Sequence, residues 1–138
     1  MVIHSYHYPN RYKSSDIASE HGFRLDYQTS KSATPSRFGT VRLGACGGNL
    51  TSPIGLLTSP SYPNQYPENI ECIYRITQDN VKSITIIFLD LDIHQDAYDG
   101  TCALARLEIS GHARNGSTIL CGYYAEPIQF RDSTLWLR

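Results

Sequence analysis

Apolar and polar residues alternate in short runs along this chain, and the runs have the spacing of strands. Phe23, Leu25 and Tyr27 alternate with Arg24 and Asp26, which predicts a half-buried strand. Ala105, Leu107 and Ile109 alternate with Arg106 and Glu108 and predict another. Ile73 to Thr77 reads as a strand, followed by a turn at Asp79-Asn80. Ile84 to Leu89 is β-branched and almost continuously apolar, as a central sandwich strand would be, and Asp90 to His94 is expected to end it. Gly111 to Gly116 reads as a turn region, Ser117 to Cys121 as a strand, and Pro127 as the start of a loop. In the closing run Thr134 to Arg138, Leu135 and Leu137 flank Trp136, again as in a strand.

Between the first of these runs and the others lies Cys46 to Cys72. It opens Cys46-Gly47-Gly48, continues through Gly55-Leu56-Leu57, and reaches Cys72 by way of Ser59-Pro60-Ser61-Tyr62-Pro63-Asn64-Gln65-Tyr66-Pro67. Pro60, Pro63 and Pro67 exclude a helix and predict a fixed, extended loop between short strands. The chain has four cysteines, for which spacing alone allows three pairings. No Cys-x-x-Cys pair is present, so disulfides are a better reading than zinc, and they imply an oxidising compartment.

Composition narrows the picture further. With 138 residues, 41% hydrophobic and 18% charged, the chain can bury one core and is not disordered in character. A net charge of −1 gives no electrostatic footprint for nucleic acid or an anionic membrane. Asn49-Leu50-Thr51 and Asn115-Gly116-Ser117 are glycosylation sequons. Met1 to His7 is not a signal peptide, and no apolar run approaches transmembrane length, so no direct membrane insertion is expected. A secreted-type module with no export signal reads as a fragment or a late start.

The order Cys-Gly-Gly, Gly, Ser-Pro-x-Tyr-Pro-x-x-Tyr-Pro-x-Asn, Cys over residues 46–72 resembles the opening of a CUB domain. Ser15-Asp16 followed by Gly22-Phe23 and Tyr27 resembles the closing motif of the same family, although Lys13 stands where an aromatic is usual, with Tyr12 beside it. A closing motif ahead of an opening one implies tandem repeats. On that reading residues 1–28 are the tail of a preceding repeat, 29–45 a linker, and 46–138 a CUB domain. The linker is polar and mildly basic through Lys31, Arg37 and Arg42, a solvated rather than a binding stretch. The resemblance implies an all-β fold, a CUB-type jelly-roll-like β-sandwich with Tyr74 at a core position usually held by Trp. It pairs Cys46 with Cys72 and Cys102 with Cys121, each bridge contributing about 3 kcal/mol. Measured against the family, the domain is incomplete at its C-terminus and lacks its last strands, which would lie beyond Arg138. The open edge would invite pairing, and Phe23 to Tyr27 has the chemistry to fold back and fill it.

Many CUB domains hold calcium through acidic residues. Here His94 and Ala105 occupy two of the family's ligand positions and the third lies past Arg138, so no metal is expected. Asp92, Asp96 and Asp99 remain as weak candidates in what reads as a solvated acidic loop. His4 and His7 have ligand spacing but no further ligands, and read as part of a frayed terminus. No zinc-protease motif, nucleophile elbow or phosphate loop is present, so catalysis is not expected, nor any cofactor. The resemblance implies an extracellular or cell-surface binding module with protein ligands and neighbouring CUB repeats as partners. The run Ser133 to Arg138 is similar to the Leu-Trp-x-Arg strand of several cubilin repeats, which points to a multi-CUB endocytic receptor. The alternative is the substrate-recognition (exosite) module of a secreted astacin-type or complement-type protease, and a third is a structural repeat without a ligand. Tyr123 and Tyr124 suit ligand contact and packing equally well.

Overall fold

A computed structural model describes residues 2–3, 22–30, 40–96, 98–112 and 116–138. Among them are twelve strands and no α-helix. They are β1 (Val2–Ile3), β2 (Gly22–Thr29), β3 (Thr40–Arg42), β4 (Gly48–Leu50), β5 (Ile54–Thr58) and β6 (Tyr74–Thr77). The remainder are β7 (Ile84–Ile93), β8 (Ala105–Gly111), β9 (Ser117–Leu120), β10 (Gly122–Tyr123), β11 (Ile128–Phe130) and β12 (Thr134–Leu137).

The strands form two mixed sheets that pack as a sandwich. The first runs β1-β8-β12-β6-β4, with β9 also paired to β8; the second runs β10-β7-β2-β5-β3, with β11 also paired to β7. Most neighbours are antiparallel, while β4 lies parallel to β6 and β3 parallel to β5. Each sheet sends alternate residues inward. Leu107 and Ile109 of β8, Leu135 and Leu137 of β12, and Tyr74 and Ile76 of β6 meet Phe23, Leu25, Leu57, Ile84 and Ile86 from the other sheet in one buried core. Phe23 and Tyr74 touch edge to face across it, with ring centroids 6.2 Å apart. Disulfides join Cys46 to Cys72 and Cys102 to Cys121, and no described cysteine is free.

The alternation in β2 is what allows it to sit where it does. Its register places it between β5 and β7, with Leu25 opposite Leu57 on one side and Tyr27 opposite Ile86 on the other. Phe23, Leu25 and Tyr27 are fully buried, while Arg24 and Gln28 face solvent. Residues 22–29, read from the sequence as the end of a separate repeat, therefore form the central strand of the second sheet in the same sandwich as residues 46–138. Of the stretch 29–45, Thr29 ends this strand and Thr40 to Arg42 adds the edge strand β3. The motifs interlock at contact distance. A side-chain carbon on Gly22 would lie 2.0 Å from the Ser59 hydroxyl, and one on Gly55 would lie 2.2 Å from the Tyr27 ring. The Phe23 amide donates to Ser59 Oγ at 3.0 Å, and the Tyr27 hydroxyl donates to the Ser52 carbonyl at 2.9 Å.

Three local features differ from the sequence reading. Asp90 to His94 does not end the long strand: β7 continues to Ile93, because β2 pairs with it as far as Gly22 opposite Asp92. The register shifts by an irregularity between Arg24 and Leu25, which carries the pairing past Leu89. Nor is β7 covered on both faces. Ile84, Ile86 and Phe88 point inward, but Leu89 is 50% exposed, as an antiparallel sheet with one solvated face permits. The proline-rich loop after β5 is turned rather than extended, with Tyr62 N–H donating to the Ser59 carbonyl and Asn64 N–H to the Ser61 carbonyl.

Candidate functional site

The acidic loop after β7 is built as a set of turns. Asp96 Oδ1 accepts the Tyr98 amide at 2.8 Å, and Asp99 Oδ1 accepts the Thr101 amide at 2.9 Å. The Gly100 amide donates to the Asp96 carbonyl and the Asp96 amide to the Thr101 carbonyl. Hydrogen bonding from Thr101 holds the Asp99 carboxyl below the usual carboxylate range. Asp92 lies back in β7, opposite Gly22 and Tyr123. Among the described residues no group of three or more His, Cys, Asp or Glu converges as a metal would require. The carboxylates of Asp96 and Asp99 serve the turns instead. His94 follows β7 and donates its amide to the Tyr66 hydroxyl at 3.1 Å, and Ala105 is buried at the start of β8. His4, His7 and the Ser15-Asp16 pair lie outside the described residues.

A more promising surface lies on the outer face of the second sheet. Arg24 of β2, Leu56 of β5, Leu43 after β3 and Tyr62 of the proline-rich loop line a hollow of about 350 Å³. Its rim is fixed by polar contacts. The Gly44 amide donates to Thr58 Oγ1 at 2.7 Å, and the Tyr62 hydroxyl donates to Asp90 Oδ2 at 2.8 Å. Asp90 also lies opposite Arg24 in the β2–β7 register. Burial, then the Asp90 hydrogen bond, raises the Tyr62 phenol above its ordinary range. Asp26 is set between Leu56 and Ile87 in the sheet register, and desolvation there raises its carboxyl, with Arg24 opposing. Leu43 is 61% exposed. The hollow thus offers an apolar wall, a guanidinium and a phenol, the chemistry of side-chain recognition. The sequence did not single out these residues as a group, because they come from three separated segments.

The CUB domain family model matches residues 46–138. The chain belongs to the CUB domain family. It is 32% identical to human cubilin over 128 residues, covering 90% of this chain and 3% of that protein. To mouse tolloid-like protein 2 it is 28% identical over 126 residues, covering 88% of this chain and 12% of that protein. To rat neuropilin-1 it is 33% identical over 91 residues, covering 63% of this chain and 10% of that protein. The chain therefore spans only a small part of the curated relatives it matches. No solved structure matches it.

For a CUB domain, a module of extracellular binding proteins, the remaining marked residues divide cleanly. Tyr123 is 78% exposed, whereas Tyr124 packs its ring edge to face on Phe88 at 5.3 Å. Tyr123 is thus available to a partner and Tyr124 belongs to the framework. Asn49 sits exposed on β4, at the edge of the first sheet, with Thr51 exposed just after it. Asn115 lies outside the described residues.

Proposed function

We propose that this CUB domain is a protein-binding module of a multi-CUB cell-surface receptor of the cubilin kind, which carries ligands into the cell. The observation that carries this reading is the extent of the likeness to cubilin. It covers 90% of the chain, more than the stretch 46–138 that the family model matches, so it runs into the residues ahead of Cys46. In such an array residues 22–29 and 46–138 would form one repeat, with neighbouring repeats as partners. Affinity would come from several repeats acting together. The domain is non-catalytic, works without a cofactor, and holds Cys46–Cys72 and Cys102–Cys121 as structural bridges. Asn49 and Asn115 carry glycans on this reading, and Arg24, Leu43 and Tyr62 form a ligand surface on a rigid β scaffold.

The test is uptake. An antibody to this domain is added to cells that express the parent protein, at low and physiological temperature. Temperature-dependent internalisation supports the receptor reading. Recovery of the parent protein only from the medium, cut from cells that internalise nothing, contradicts it. The likeness to tolloid-like protein 2 favours a second reading, an exosite module of a secreted astacin-type or complement-type protease. In that case, removing this domain from the parent protein would weaken cleavage of a protein substrate while leaving small-peptide hydrolysis intact.

A further inference from the structure

The outer face of the first sheet carries a cross-strand row that begins at the sequon residue Asn49. β4 is the edge of this sheet and runs parallel to β6, with Asn49 beside Arg75. β12 flanks β6 on its other side, with Trp136 beside Arg75. The neighbours of these three along their strands, Leu50, Tyr74, Ile76, Leu135 and Leu137, are fully buried. By the alternation of a strand, Asn49, Arg75 and Trp136 therefore all point outward, and the row spans two strand spacings, about 10 Å.

The polar groups of this row lack protein partners. Elsewhere on the same face, Arg106 lies 3.7 Å from Glu108, and Arg138 reaches Glu108 at 3.4 Å and Glu71 at 3.3 Å. Arg75, which is exposed, meets no carboxylate among the described residues. Its guanidinium lies over the Trp136 ring instead, 5.6 Å from the centroid. The indole also stacks with His112, the rings 5.7 Å apart and inclined by 20°, which fixes its orientation. Neither the Asn49 side-chain amide nor the indole N–H has an acceptor among the described residues, and neither is a buried orphan. The row thus presents an exposed asparagine amide at the sheet edge, then the donors of an arginine, then a half-buried indole.

What such a row takes is set by its first residue. Asn49-Leu50-Thr51 is a glycosylation sequon, and Thr51 is exposed beside it. Glycosylation joins Asn49 Nδ2 to the anomeric carbon of N-acetylglucosamine, with a lipid pyrophosphate leaving and one amide proton released. The sugar is then tethered within reach of Arg75 and Trp136, so even weak contacts are made at high effective concentration. Its amide carbonyl and hydroxyl oxygens are acceptors for the guanidinium, and its C–H groups pack against an aromatic surface.

We propose that the N-glycan on Asn49 lies back across this row. Its first two sugars accept hydrogen bonds from Arg75 and pack against Trp136, so that the chain's own glycan covers this part of the first sheet. The inference rests on the reading of Asn49 as glycosylated, and holds for a receptor repeat and a protease module alike.

The full chain is secreted from mammalian cells behind a cleavable export signal. Thr51→Ser, which keeps the sequon, and Thr51→Ala, which destroys it, are made beside it. Peptide mass mapping reads the occupancy of Asn49. Trp136 is the only tryptophan of the chain, so its fluorescence reports on the row directly. Acrylamide should quench it less in the two glycosylated chains than in Thr51→Ala. NMR cross-relaxation should connect the N-acetyl methyls of the core sugars to the indole protons. The glycosylated chains should melt about 4 °C above Thr51→Ala, the shift that one ordinary aromatic contact gives in a chain of this length. That gain should vanish in a Trp136→Thr background and shrink with Arg75→Gln. The quenching comparison needs neither variant, so it stands even if Trp136→Thr fails to fold. An empty Asn49 in the parent chain overturns the glycosylation reading and this inference with it. An occupied Asn49 with equal quenching and no cross-relaxation leaves that reading standing and overturns the inference alone.

Discussion

Replacing Gly55 with alanine should destabilise the domain only while Tyr27 keeps its ring. The two residues face each other in the β2–β5 register. A methyl carbon on Gly55 would lie 2.2 Å from Tyr27 Cε1 and 2.7 Å from Cζ, well inside contact distance. The backbone at Gly55 is one that alanine accepts, since it is not among the positive-φ glycines, so the cost is steric alone. Overpacking of this kind costs about 1–3 kcal/mol. Tyr27→Ala removes a fully buried aromatic side chain, at a cost of about 3–5 kcal/mol. In the doubly substituted chain the new methyl enters the space the ring has left. Gly55→Ala should then be neutral, or stabilising by up to about 1 kcal/mol because alanine suits a strand better than glycine. The cycle should therefore show a coupling of about 2 kcal/mol. Urea unfolding of the four chains, with a constant slope on denaturant, gives the numbers. Should Tyr27→Ala leave too little stability to measure, Tyr27→Leu provides a milder background. If Gly55→Ala costs the same with and without the ring, Tyr27 does not lie over Gly55 and the placement of β2 in this sheet is wrong.

Three further outcomes follow from the same structure. Replacing Cys46 and Cys72 together by serine opens a loop with a sequence separation of 26 and should cost about 3 kcal/mol in urea unfolding. Asp26 has a carboxyl raised by desolvation, so its ionisation opposes folding: the relative gain is present below its unfolded pKa and is lost as pH rises through the folded one. Asp26→Asn should accordingly raise stability at neutral pH and have no such benefit at a pH below the ordinary carboxylate range, as thermal melts at the two pH values would record. Calcium at millimolar concentration should leave the melting temperature unchanged, because Asp96 and Asp99 already cap turns; an upward shift abolished by Asp99→Asn would contradict this.

The strands with a long period were legible in the sequence. The alternation of Ala105 to Ile109 and the apolar run from Ile84 carry their own secondary structure, because a strand repeats every two residues. The shorter strands β3, β4, β10 and β11 have two or three residues each and show no period to read. For β2 the pattern gave the strand but not its seat. Alternation tells which side chains turn inward, and nothing in it names the sheet they turn into. That seat depends on Gly22 meeting Ser59 and Gly55 meeting Tyr27, contacts between residues that are far apart in the chain. The candidate sites were less legible for the same reason. Arg24, Leu43 and Tyr62 come from three segments, and each residue alone is an ordinary surface side chain. The acidic run Asp96 to Asp99 was visible at once, but which groups its oxygens accept from depends on the turn geometry.

The central claim is that residues 22–29 complete the sandwich between β5 and β7. Native-state amide hydrogen exchange tests it most directly. If β2 is a central strand, the amides of Leu25 and Tyr27 should be protected to the same degree as those of Ile86 and Phe88 and should exchange only through global unfolding. Exchange of residues 23–28 at the rate of an unstructured peptide, with Ile86 and Phe88 still protected, would show that the sandwich stands without this strand and would contradict the account.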